Sequence, residues 1–347
     1  MKVIFLWAEI GSYLHTLAKS VYKFTNQKVS IVNWDKRTGG STLFESIEDD
    51  GLVYLPRSSF TKLSLLDFLI KESPDIIVVS GWMDLGYLTA CKKYKKQSKV
   101  KVLAAIDDQW HGTFRQYFGR YVYRFLMDKK IFDYMWVAGS AQIYYAAKFG
   151  LDHNKIISHC LSASDLFFIE QVKFMKRFVY VGRFVSKKDI RLLIKAHKLI
   201  DVQKRKEWPL YLIGGGELIE EIQQEIDEFI ILCKPMQPEK LVLELSKGGV
   251  GCLTSTKEPF GVVVHEFSKM GMPLLLSSRI GAAPEFLING YNGFLFEVSN
   301  VESLYNKMCK FINLEDAELL EFGKRSHFLS NRINSDISAA SLLSIIK

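Results

Sequence analysis

One pattern constrains this chain more than any other. Short apolar runs rich in β-branched residues alternate with amphipathic segments, and the series starts twice. The first series opens with Val3–Trp7, a run apolar at every position. Leu14, Leu17, Ala18 and Val21 then recur at helical spacing. Further strand-like runs lie at 29–32, 76–79, 102–106 and 135–138, with helical patterns between them such as Leu63, Leu66, Leu69 and Ile70. A strand apolar on both faces must be covered on both faces. Alternation with helices therefore predicts a parallel sheet sandwiched by helices.

The second series begins at 178–181, with Leu192, Leu193, Ala196, Leu199 and Ile200 lining the next helix. Runs at 210–213, 230–232, 250–253 and 273–276 continue it. The less periodic stretch from Ser162 to Lys176 divides the two. The expectation is an α/β chain of two Rossmann-like, doubly wound parallel-sheet domains facing a central cleft. The N-terminal domain takes residues 1–165 and the C-terminal domain 166–325. A helix in 326–347 is expected to return to the first domain. The 347 residues are enough for two cores. The five cysteines are scattered and form no Cys-x-x-Cys, which argues against a disulfide framework and a structural zinc site. The N-terminal apolar run is too short for a secretory signal, and no run reaches ~18 apolar residues. A cytoplasmic location is expected.

The segment from Lys257 to Pro273, Lys-Glu-Pro-Phe-Gly-Val-Val-Val-His-Glu-Phe-Ser-Lys-Met-Gly-Met-Pro, carries the most chemistry. Glu258 precedes a proline and so sits in extended backbone. Phe260 and Gly261 open a helix, Gly261 letting backbone approach a ligand closely. Gly271 and Pro273 stop that helix. Glu266 falls one to two turns inside it. A helix N-terminus has unpaired N–H groups and suits a phosphate. One carboxylate at the turn could then reach a sugar hydroxyl, and the deeper one a diol. The structural alternative is that Glu258 caps the helix and Glu266 is a solvated helix residue.

Gly182 and Arg183 end the strand at 178–181, and Lys187 and Lys188 open the next helix. Arginine offers a planar fork of donors and lysine a point charge, and both suit a diphosphate. A solvated basic loop would look the same. Gly214-Gly215-Gly216 makes a third glycine turn between strand and helix. It is neither a Walker A loop nor the Gly-x-Gly-x-x-Gly fingerprint.

Taken together, 178–183 with Lys188, the Gly214 turn, Glu258-Pro-Phe-Gly through Glu266, and Gly281-Ala-Ala-Pro-Glu through Asn292-Gly-Phe resemble the family 4 glycosyltransferases of the GT-B fold. The Glu-x7-Glu spacing of Glu258 and Glu266 is that family's hallmark. The resemblance is close over roughly 177–297 and looser before it. It implies a retaining, metal-independent transferase that moves a sugar from a UDP- or GDP-linked donor, with no cofactor. The acceptor would be a saccharide or lipid-linked saccharide, in surface polysaccharide or glycolipid biosynthesis. It implies that Arg183 and Lys188 neutralise the leaving diphosphate. Glu266 would bind the ribose hydroxyls and Glu258 would orient the donor sugar. The backbone of Phe260, Gly261, Val262 and Val263, with Gly182, Gly214 and Gly11, would lie against the donor.

The chain departs from that pattern in three places. Lys188-Asp189 stands where the family has Lys-Gly, which makes Lys187 a second candidate. Gly281-Ala282 replaces Gly-Gly. The His-Asp many members carry after a strand has no direct match, so either Asp107 or His111 takes that place, a solvated loop histidine being the plain alternative. Other readings of the chain are a GT-B sugar-nucleotide epimerase, a phosphorylase, or a non-catalytic nucleotide-sugar-binding protein.

The formal charge of +8 is uneven. Residues 1–165 hold 22 Lys+Arg against 16 Asp+Glu, and the remainder 24 against 22. Six lysines lie between Lys92 and Lys101. From Phe114 to Lys130 a helical pattern sets Tyr117, Phe118, Tyr121 and Phe125 beside Arg120, Arg124, Lys129 and Lys130. A basic helix with aromatics suits an anionic membrane surface, so a peripheral association with the inner face of the cytoplasmic membrane is expected. A core-facing aromatic helix is the alternative. Lysine clusters also permit nucleic acid, but no reading module is visible, and none is expected as partner.

Overall fold

Every central apolar run becomes a parallel strand. The computed structural model describes residues 1–35, 49, 51–128 and 131–346, and of 125–128 the backbone only. Two units result. One contains the described residues up to Ser164 together with Ile333 onward, and the other runs from Asp165 to Arg332.

In the first unit the strands are β1 (Val3–Trp7), β2 (Val29–Asn33), β3 (Leu52–Pro56), β4 (Ile76–Ser80), β5 (Lys101–Ile106), β6 (Tyr134–Val137) and β7 (Ile156–Ile157). They pair in the order β3-β2-β1-β4-β5-β6-β7, all parallel. Helices α1 (Ser12–Thr25), α2 (Lys62–Glu72), α3 (Leu85–Lys95), α4 (Phe114–Asp128) and α5 (Ser140–Lys148) alternate with them.

In the second unit β8 (Phe178–Arg183), α6 (Ile190–Lys198), α7 (Val202–Glu207), β9 (Leu210–Gly215), α8 (Ile219–Glu225), β10 (Ile230–Cys233), α9 (Pro238–Leu245) and β11 (Val250–Leu253) come first. Then follow α10 (Val262–Lys269), β12 (Leu274–Ser277), α11 (Ala283–Phe286), β13 (Gly293–Phe296), α12 (Val301–Ile312) and α13 (Asp316–Ser330). This sheet is also parallel, in the order β10-β9-β8-β11-β12-β13. Strand order reverses at β1/β4 in one sheet and at β8/β11 in the other. Such switch points open a crevice beyond the carboxyl ends of the strands.

The sequence reading missed β3, β7 and β13. All three are sheet edges. An edge strand has one neighbour only, and β3 and β13 are correspondingly part-exposed although their residues are apolar. Two helix faces also need correction. In α2 the buried pair is Leu65 and Leu69, one turn apart, while Leu63 and Ile70 are exposed. In α6 Leu192, Leu193 and Ala196 are buried, with Ile200 just beyond, but Leu199 is exposed.

The last helix, α14 (Ser335–Leu343), belongs to the first unit and packs along α1. Lys23 pairs with Asp336 at 2.8 Å. The Trp136 indole donates to Ser158 C=O at 3.0 Å and to Ser341 Oγ at 3.1 Å. Leu342 is fully buried. Leu342→Ala should therefore lower the stability of the first unit by about 2–5 kcal/mol, the usual cost of truncating a buried leucine. Denaturant unfolding followed through tryptophan fluorescence, five of the six tryptophans lying in the first unit, checks this; an unchanged midpoint would count against the packing.

Candidate active site

The carboxyl edge of the second sheet gathers most of the sequence-predicted residues. Gly182 and Arg183 end β8. Arg183 is exposed, and its carbonyl accepts a hydrogen bond from the Tyr180 hydroxyl at 3.1 Å. A short turn, Ser186–Lys188, carries Lys187 and Lys188. Thr254, just past β11, donates its hydroxyl to Lys188 C=O at 2.9 Å. The Thr256 N–H donates to Lys187 C=O, also at 2.9 Å. These bonds tie the two strand ends across the switch point. Lys187 is exposed, whereas the Lys188 ammonium is part-buried against the Glu258 carboxylate.

Glu258 is buried and accepts from Lys188 and from Ser255 Oγ, the latter at 2.9 Å, both at Oε2. The N-cap residue of α10 is Gly261, three positions on. The backbone at Glu258 is held from the other side: the Gly281 N–H donates to Glu258 C=O at 3.1 Å and the Ala282 N–H to Phe260 C=O at 2.8 Å. A lysine ammonium has three donors. One bond to Glu258 leaves two that other acceptors can use.

Gly261 stands at the N-cap of α10 with φ 91°, a conformation that costs glycine nothing and other residues strain. At the far end Met272 N–H donates to Phe267 C=O and Gly271 N–H to Ser268 C=O, both at 3.0 Å, a Schellman stop. Between them lies Glu266. Burial pushes its carboxyl up to about 7, opposed by the charge of Lys269 one turn on. Glu266 is half-buried rather than fully solvated. Lys269 itself reaches Asp165 at 3.5 Å, and burial holds its ammonium below the usual lysine range.

Gly214 is explained by packing. A side-chain carbon there would lie 1.9 Å from Gly182 C=O on the adjacent strand. Asp189 is explained by backbone. It adopts φ 49° and ψ 46°, the left-handed region, as the residue before α6. Only glycine enters that region freely, with Asp and Asn the next best tolerated. Burial also raises the Asp189 carboxyl above its usual range.

In the first unit the carboxyl edge carries the remaining candidates. Asp107 directly follows β5 and is exposed, its carbonyl accepting from the Gln142 side-chain amide at 3.1 Å. The His111 backbone N–H donates to Gln116 Oε1 at 2.7 Å, and its ring is half-buried. Gly11 precedes α1, and a side-chain carbon there would lie 2.8 Å from the Tyr13 ring. The space beside Gly11 is therefore filled by Tyr13. Burial pushes the Tyr13 hydroxyl up to about 12, with the Asp107 charge adding to the shift. Ser255, Thr254 and the Asp165–Lys269 pair were not singled out from sequence. A Ser/Thr run straight after a switch-point strand is the signal that would have found the first two.

Comparison with known proteins follows this geometry. Residues 165–327 match the family model of glycosyl transferases group 1. The chain is 30% identical over 142 residues to an uncharacterized glycosyltransferase of Methanocaldococcus jannaschii, covering 40% of this chain and 38% of that protein. It is 29% identical over 187 residues to the capsular polysaccharide biosynthesis glycosyltransferase CapM of Staphylococcus aureus, covering 51% of this chain and 45% of CapM. The match thus spans less than half the length of either relative. Anabaena HepE, solved with UDP and glucose, superposes with a TM-score of 0.74 over 100% of this chain and 99% of its own, at 14% identity. The fold is GT-B, built as two parallel-sheet α/β units.

The Asp189 geometry gives a direct test. A raised carboxyl pKa means the folded state holds its proton more tightly, so stability falls as pH rises through that pKa. Asp189→Gly removes both this penalty and the left-handed strain. It should raise stability at pH 8 by about 1 kcal/mol, read from denaturant unfolding. A loss of stability would contradict the account.

Proposed function

We propose that this chain is a retaining, metal-independent glycosyltransferase that uses a UDP- or GDP-linked sugar. The observation that carries this reading is the Lys188–Glu258 pair, beside Arg183 and the N-terminus of α10 at the switch point. In this reading the diphosphate lies between Arg183, Lys188 and the first N–H groups of α10. Two basic side chains and a helix end then do the work of a metal cation. Glu258 steers Lys188 and orients the donor sugar. Glu266 accepts the ribose diol. The leaving phosphate helps deprotonate the acceptor hydroxyl on the same face, so the protein contributes position and charge stabilisation. Asp107 or His111, on the carboxyl edge of the first sheet, serves the acceptor.

We place the acceptor among saccharides or lipid-linked saccharides of surface polysaccharide or glycolipid biosynthesis, with the enzyme peripheral to a membrane. CapM, named for capsular polysaccharide biosynthesis, supports the substrate class. The exposure of α4 supports the location: Phe114 is 95% and Tyr121 71% exposed, and Tyr117 and Phe118 lie open beside Arg120 and Arg124. These four aromatics are not a core face; among the described side chains of α4 the buried aromatic is Tyr123. The Phe125 side chain, Lys129 and Lys130 lie outside the described residues.

Arg183→Ala and Glu258→Ala should each lower sugar transfer by at least about 10²-fold, assayed in excess chelator, where the wild type should stay active. Full activity in both variants would falsify the site assignment. The Glu266 carboxyl adds a pH signature. Its ionised form accepts both diol hydroxyls, so UDP affinity should rise with pH through about 7. In Glu266→Gln that component should vanish, leaving only the titration of UDP itself. Identical pH profiles by calorimetry would remove Glu266 from the ribose site.

A further inference from the structure

We infer that the first unit carries a separate binding site for a phosphate-class anion, at the amino edge of its sheet. A cavity of about 610 Å³ opens there. Lys101 is the first residue of β5, Tyr134 the first of β6, and Lys155 immediately precedes β7. All three line the cavity, so it lies at the end of the strands opposite Asp107 and Gly11. Tyr123, Phe132 and Phe149, all buried, form an aromatic wall, with ring centroids 5.4 Å apart for Tyr123–Phe149 and 6.4 Å for Tyr123–Phe132. A second cavity of about 940 Å³ shares Lys101, Tyr134 and Asn154 with it and adds Lys99 and Asp75.

Among the described residues the charge on this cavity is not internally cancelled. Lys95 is held by Asp133 at 2.7 Å and donates to Ile131 C=O at 3.3 Å. Asp133 also accepts the Val102 N–H at 2.9 Å, so that carboxylate is well satisfied. Lys101, Arg124 and Lys155 make no ion pair among the described residues. Among the described residues, the lining sets against these three cations only Asp152, which is exposed. Arginine and lysine around one concave site are the donors a phosphate takes. The aromatic wall suits an apolar group attached to that phosphate, and the volume falls within the range of small-ligand sites. The two basic segments of the sequence, Lys92 to Lys101 and the α4 helix, meet here: Lys95 and Lys101 come from one and Arg124 from the other. The site is independent of the nucleotide-sugar reading.

The same chemistry could be met by free phosphate or by the headgroup of an anionic lipid, and the test separates them. The full chain is melted with and without inorganic phosphate at constant ionic strength, and floated with phosphatidylglycerol or phosphatidylcholine vesicles. The Lys101→Gln/Arg124→Gln/Lys155→Gln variant is compared with a control of equal charge change outside the cavity, Lys92→Gln/Lys93→Gln/Lys96→Gln. A phosphate-dependent rise in melting temperature, lost in the cavity variant and kept in the control, establishes the site as one for free phosphate. Flotation with phosphatidylglycerol alone that falls about tenfold in the cavity variant and persists in the control, without a phosphate shift, establishes it as a headgroup site. Equal effects in both variants, or no effect in either, overturn the proposal. A UDP-dependent shift measured on the same variants reports the donor site separately, and a cavity variant that still responds to UDP is folded.

Discussion

The second unit is organised around one charged contact, the ion pair of Lys188 and Glu258. Both groups are largely withdrawn from water. Each would be costly there alone, and breaking such a pair typically costs 3–5 kcal/mol because one charge is left uncompensated. The pair therefore commits the loop after β8 and the turn before α10 to one arrangement. Thr254 and Thr256 hold the lysine's backbone from one side, and Gly281 and Ala282 hold the glutamate's segment from the other. Strand ends β8, β11 and β12 are thereby fixed relative to each other. A site built this way presents its cations and helix end in place, with little left to organise on binding.

What the sequence made legible follows from physics that acts locally. Central strands are buried on both faces, so their apolar runs are unmistakable. Edge strands are not: β3, β7 and β13 escaped, although the edge strand β10 was legible from its run at 230–232. The face of α2 was misread because Leu63 and Ile70 match the helical period as well as Leu65 and Leu69 do. Periodicity names a set of faces, and only packing selects one. At the site, Glu258, Gly261 and Glu266 were readable because helix start, helix stop and acid spacing are all encoded in one segment. The contact between Lys188 and Glu258 was not, since 70 residues separate the two in sequence. The role of Asp189 was also hidden: it looks like an intruding charge beside a lysine, yet it occupies a left-handed backbone position where glycine would be most at ease.

Charge tells a similar story. The positive excess of the first 165 residues is visible by counting, but its placement is not. Lys92, Lys93 and Lys95 end α3, where cations are favoured by the helix carbonyls, and that much is ordinary helix chemistry. Lys101, at the start of β5, and Lys155, just before β7, line the amino-edge cavity without such an intrahelical reason. The exposed aromatics of α4 lie on the same helix as Arg124, so apolar and cationic surface adjoin in one element. The cations thus gather at two places in different units where we propose anions bind: the switch point of the second sheet and the amino edge of the first.

The central claim is that the switch point of the second sheet holds a nucleoside diphosphate. The most direct measurement is a crystal structure of the full chain soaked or grown with UDP or GDP. The account places the diphosphate between Arg183, Lys188 and the N-terminus of α10, with the ribose hydroxyls on Glu266. A nucleotide bound with its phosphates away from Arg183 and Lys188, or with Glu266 out of reach of the ribose, would contradict it.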